Sequence, residues 1–126
     1  MSSISINKNI NKILKNDEQI KAVVGDKIFP LVANQDTTFP FIYHNNLGTN
    51  VSYTKDGHSM DDASFSIVMR DNLYIRAIET AERVRKIFEN RRDDFFKDVK
   101  LIQVLERYND EDDTFSVELQ FEAIIF

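Results

Sequence analysis

The residues of this chain best suited to chemistry near neutral pH are its two histidines, His44 and His58. His58 stands near Asp56, Asp61 and Asp62, a grouping that in principle offers one imidazole and three carboxylates to a divalent metal. Their spacing matches no known ligand set, and a polar connecting loop accounts for the same residues, which is the reading adopted. His44 falls in a stretch expected to be a strand. The run Asp110-Glu111-Asp112-Asp113 has four adjacent acids but neither the glycine nor the spaced oxygen ligands of an EF-hand loop, so it reads as a solvated hairpin tip. Nucleophilic catalysis has no support, because the chain has no cysteine, no Gly-x-Ser-x-Gly elbow and no Ser–His pair with a third member. Gly48-Thr49-Asn50 is not closed by the Lys-Ser or Lys-Thr of a P-loop. Glu106, set among apolar residues, reads as a strand-edge or bulge residue. The expectation is a protein that is not an enzyme, with no catalytic residue, no metal site and no cofactor.

The elements that position these groups follow from periodicity. Ile6, Ile10, Ile13 and Leu14 recur at helical spacing and predict a first helix over about residues 5–16. Asp17 suits the N-cap of a second, short helix burying Ile20, Val23 and Val24, which Gly25 stops. Pro30 and Pro40 mark strand boundaries, since proline cannot donate to a ladder and holds its predecessor extended. A strand runs from Phe41 towards Tyr53, and residues 54–62 form a loop. Ala63, Phe65, Ile67 and Met69 alternate with polar residues, as a half-buried strand does.

Asp71 or Asn72 can cap a long helix from Leu73 to Phe88. Its apolar stripe is Tyr74, Ala77, Ile78, Ala81, Val84, Ile87 and Phe88, and Arg91-Arg92-Asp93-Asp94 is its charged end. The chain closes with a hairpin in which Phe115, Val117, Leu119, Phe121, Ala123 and Ile125 alternate without a break. Pairing straight across the acidic turn puts Tyr108, Val104 and Ile102 on that same face. The predicted fold class is α+β: an antiparallel sheet of four or more strands, with the long helix and the N-terminal helices packed on one face. The predicted core includes Tyr74, Ile78, Val84, Phe88, Phe115, Val117, Leu119 and Phe121.

The hairpin's second face is polar from Ser116 to Glu122 and then turns apolar at Ile124 and Phe126. Straight pairing sets these two beside Val99 and Leu101. Two readings of this corner stay open. The first helix covers it, or it is a subunit interface built on Val99, Leu101, Ile124 and Phe126.

Composition narrows the class. At 126 residues the chain reads as one domain, 1–126, large enough to bury roughly two thirds of its unfolded surface. Ten Phe and four Tyr against three Gly suggest a compact core, and 42% hydrophobic content excludes wholesale disorder. A net charge of −5 argues against gripping nucleic acid through its phosphates, although Arg83, Arg85, Lys86, Arg91 and Arg92 form a local basic group. The first residues lack the continuous apolar core of a signal peptide, and no apolar run is long enough to span a bilayer. A soluble cytoplasmic protein without membrane contact is expected.

The order of elements and a set of short motifs carry a family resemblance. Gly25-Asp26-Lys27-Ile28-Phe29 turns into a strand, Phe39-Pro40-Phe41-Ile42-Tyr43 enters the next through a proline, the Leu73–Phe88 helix follows, and Thr114-Phe115-Ser116-Val117-Glu118-Leu119-Gln120-Phe121 resembles the closing strand. Across approximately Ile6 to Phe126 the chain resembles the tail-completion (tail-terminator) proteins of long-tailed bacteriophages. The resemblance implies a non-catalytic virion protein, a homo-oligomeric ring of commonly six subunits at the head-proximal end of the tail tube. Such a ring stops tail growth and joins the tail to the head. Its partners would be the tail tube protein and head-completion or connector proteins, with DNA passing through the channel unbound. Assembly would take place in the bacterial host cytoplasm, and the finished location would be the virion tail or neck. Alternatives are another neck component, such as a head-completion adaptor or a tail-tube-like ring, and a small ligand-binding α+β domain.

Overall fold

The computed structural model describes residues 3–33, 36–53, 55–57 and 59–126, and His58 with its expected loop role lies outside them. A short 3-10 turn at Ser3–Ser5 leads into α1 (Ile6–Asn16), whose Ile6, Ile10 and Leu14 are fully buried. Asp17 ends α1 and caps α2 (Glu18–Val24), its carboxylate accepting from the Ile20 amide at 3.0 Å. Gly25 follows at φ 63, the left-handed region where an absent Cβ removes the steric cost.

The five strands are β1 (Ile28–Pro30), β2 (Phe41–Tyr53), β3 (Ser59–Asp71), β4 (Phe96–Asn109) and β5 (Thr114–Ile125), arranged in the order β1-β2-β3-β5-β4. The fold is α+β, with four strands antiparallel and the three helices on one face of the sheet. Two expectations need correction. β1 pairs with β2 in parallel, because the loop after Pro30 carries the chain back to the start of β2 before it enters the sheet. β3 begins at Ser59, so residues 59–62 of the expected 54–62 loop are strand, and β2 and β3 form one long hairpin.

α3 (Tyr74–Phe88) crosses the sheet face and buries Ala77, Thr80, Ala81, Val84 and Phe88. Its N-cap is Leu73 rather than Asp71 or Asn72. Asp71 instead accepts from the Leu73 amide at 3.0 Å and from Arg76 at 2.6 Å, holding the helix start from the last residue of β3. Beneath α3 lie Phe65, Phe88, Phe96 and Phe121. The Phe65 and Phe121 rings stack at 5.1 Å, and Phe88 meets both of them within 6 Å. Val117 and Leu119 are buried in the same core, and Ile78 is half-buried against it.

Tyr74 and Phe115 differ from expectation. Tyr74 is 43% exposed and Phe115 only half-buried, because α3 starts beyond the end of the sheet and no element covers its first turn. Their rings still meet at 5.3 Å, and the Tyr74 hydroxyl donates to Glu106 at 2.9 Å. Glu106 is thus an exposed edge residue tied to a tyrosine.

Candidate assembly interface

The four residues expected to form one apolar corner are divided by the sheet. β4 is bulged twice against β5, at Lys97 and at Ile102, so the register moves one residue at each place. A one-residue slip turns a side chain to the other face. Val99 therefore pairs with Ala123, not Ile124, and is fully buried on the helix face. Leu101 pairs with Phe121 and is half-buried against the same core. Val99 cannot touch another chain without unfolding, so it leaves the interface. The Val99 carbonyl accepts from the Asn90 amide in the turn after α3 at 2.8 Å, and its side chain joins the core that also holds Ile6, Ile10 and Leu14 of α1.

Ile124 keeps to the opposite, helix-free face, paired with Asp62 and Asp98. It borders an open hollow of about 390 Å³ whose other walls include Asp62, Asp98, Lys100 and Glu122. Phe126, 58% exposed, is held by its own amide to the Phe95 carbonyl. The expected corner does not exist as a single patch.

Exposed apolar side chains stand lower on β4 and on the first turn of α3, and also on β2 and after β1. Ile102, Val104 and Tyr108 project from the edge strand beside Leu73, Tyr74 and Ile75, each between 43% and 63% exposed. The sequence pattern places Val104 and Tyr108 on the correct face. It does not reveal that α3 leaves that end of the face uncovered.

Among the described residues, His44 and the acidic hairpin tip are engaged in structure. His44 is fully buried on β2, its Nδ1 3.1 Å from Asn7 Oδ1 and its Nε2 3.1 Å from Asn11 Oδ1, both on α1. Burial is the main cause that pulls its pKa down to about 4, with Lys15 adding repulsion. The imidazole is therefore neutral at pH 7, with one donor and one acceptor nitrogen, so one of the two amides turns its NH₂ towards the ring. Asn7 and Asn11 are four residues apart on one helical face, which was the available signal for this seam.

The acidic tip is similarly tied. Asp112 meets Arg70 at 3.3 Å, and Asp113 accepts from the Tyr108 hydroxyl at 2.6 Å. Among the described residues no group of three or more His, Cys, Asp or Glu is placed to hold a metal ion. A groove of about 610 Å³ lies between α1, the end of α3 and residues 91–95. Its main charges are mutually paired: Arg83 with Asp17, which lowers the Asp17 pKa, and Arg91 with Asp93. On the helix-free face Arg70 lies over the rings of Phe39 and Phe41, at 5.6 and 5.9 Å. Among the described residues no helix is long and apolar enough to cross a membrane.

These features define an α+β fold with one helix-covered sheet face, open edges and exposed apolar residues at both edges. No protein-family model and no curated protein matches the sequence. Among solved structures, the fold is similar to a chain in the virion of a native gene transfer agent (GTA) particle. The TM-score is 0.73 at 15% identity, over 92% of this chain and 90% of that one. At that identity the likeness is one of fold.

Proposed function

We propose that this chain is a structural, non-catalytic subunit of a phage-like virion, forming a ring at the head-proximal end of the tail tube that ends tube growth and joins tail to head. The observation that carries this reading is the shared fold with a gene transfer agent virion chain along nearly the full length of both chains. The order of motifs from Gly25 to Phe121, which resembles tail-completion proteins, points the same way. The ring is homo-oligomeric, of six subunits, and its partners are the tail tube protein and a head-completion or connector protein. A chain of net charge −5 suits a channel through which DNA slides, since a basic lining would retain the phosphates.

Electron microscopy of the purified protein, alone and mixed with tail tubes, tests the reading. Six-subunit rings seated at one end of each tube are expected. Rings that bind only the head connector favour a head-completion adaptor instead, and rings that stack into tubes favour a tail-tube component. A protein that forms no ring alone or on tubes overturns the assignment.

A further inference from the structure

The two edges of the sheet are built differently. β1 covers β2 only from Ile42 to His44, so among the described residues β2 is open from Asn45 to Tyr53. This open edge carries one bulge, at Leu47, but no charge. The 13 residues of β2 include no Lys, Arg, Asp, Glu or Pro, and Leu47, Val51 and Tyr53 are 49–75% exposed. Edges normally carry charges, prolines or bulges that discourage pairing with another chain. β4, the opposite edge, is charged, with Lys97, Lys100 and Arg107 outnumbering Asp98 and Glu106, so an uncharged strand suits it better than a second β4 does.

The strand directions decide what fits. β2, β3, β5 and β4 alternate, so β2 and β4 run in opposite directions. A second copy moved sideways in the same orientation therefore brings its β2 antiparallel to β4 of the first. The ladder also gives the heights. Val51, Asp61, Ile125 and Phe96 share one level, and His44, Ile67, Leu119 and Val104 another.

At the lower level Ile102 and Val104 on one flank face Leu31 and Val32 on the other, where the Leu31 amide bonds to the His44 carbonyl at 2.7 Å. At the upper level Lys97 comes opposite the uncharged end of β2 around Val51, and Lys100 is paired with Asp98 of its own strand at 3.6 Å. Apolar side chains thus meet apolar ones at matching heights, and no charge on β2 opposes those of β4.

The geometry points to a second copy of this chain as the occupant of the β2 edge: β2 of one subunit adds to β4 of the next, antiparallel, by a head-to-tail contact. Such a contact, repeated by rotation, closes into a ring. The inference rests on the ring reading above and names its surfaces.

The chain has no cysteine, so introduced ones report contacts cleanly. One preparation carries Val51→Cys and another Lys97→Cys, and each is treated with a short bis-maleimide alone and after mixing. A covalent dimer that appears only in the mixture is the expected result. Val51→Lys, checked for folding by circular dichroism, should move the assembled species to the 14.7 kDa monomer. If either cysteine disturbs folding, Thr49→Cys with Lys100→Cys asks the same question. A dimer formed by Val51→Cys alone overturns the proposal in favour of two-fold β2–β2 pairing. Rings that assemble without cross-linking in the mixture overturn this edge and leave the ring standing. A wild-type protein that stays at 14.7 kDa by native mass measurement, with and without tail tubes, overturns both.

Discussion

The same sheet face is filled in two ways under its two main helices. Under α3 the filling is aromatic: Phe65, Phe88, Phe96 and Phe121 meet ring to ring, with no polar atom among the four. Under α1 three aliphatic side chains, Ile6, Ile10 and Leu14, share the burial with a polar seam in which His44 is held between Asn7 and Asn11. Apolar burial is non-directional and rewards any dense arrangement. A buried imidazole is satisfied in one arrangement only, so it fixes where α1 sits on β2 and makes that seating depend on protonation. One half of the helix layer is held by volume, the other also by hydrogen-bond geometry.

The largest expected effect breaks the aromatic half. Phe121→Ala removes the ring stacked on Phe65 and should cost about 3–5 kcal/mol in denaturant unfolding, equally at pH 5 and pH 7. A loss below about 1 kcal/mol would mean that the cluster is not the core.

Acid should act on the other half. His44 has a pKa of about 4 folded against 6.5 unfolded, so the unfolded chain binds more protons between these values. The stability it supports is complete above pH 6.5 and declines as pH falls to about 4, by up to ~3 kcal/mol. Unfolding curves across this window check the sign, and His44→Gln should flatten the dependence. An unchanged slope in the variant would assign the effect to other groups.

A smaller effect sharpens the comparison. Asn7→Ala or Asn11→Ala leaves one ring nitrogen without its amide and should cost about 1–3 kcal/mol. Hydrogen exchange should quicken in α1 and change little in α3. Equal acceleration in both helices would show the layer opening as a unit.

The smallest concerns the join between the halves, where Asp17 caps α2 and also binds Arg83 of α3. Asp17→Ala should cost about 1 kcal/mol, chiefly through the lost cap. The Arg83 contact holds the Asp17 pKa below its ordinary 3.8, so the wild-type advantage is present above that value and fades as pH falls below it. An Asp17→Ala penalty that persists undiminished at pH 2 would exclude the charge as its source.

The sequence by itself determined the helices, most of the strand residues and much of their buried stripes, because these are written in local periodicity. Ile6, Ile10 and Leu14 recur at helical spacing, Phe115 to Ile125 alternate without a break, and Asp17 and Gly25 are read as cap and stop at the positions where they serve. Tertiary structure alone decided which side chains share a place. Two single-residue bulges in β4 carry no clear signature in Phe96–Asn109, yet each resets the face of everything beyond it. The one at Ile102 puts Val99 and Leu101 in the core while Ile124 stays on the other face. The partnership of His44 with Asn7 and Asn11 spans more than thirty residues of chain, and the exposure of Tyr74 depends on where α3 starts relative to the end of the sheet. Register and docking are settled by contacts between distant segments. Periodicity within one segment cannot record them.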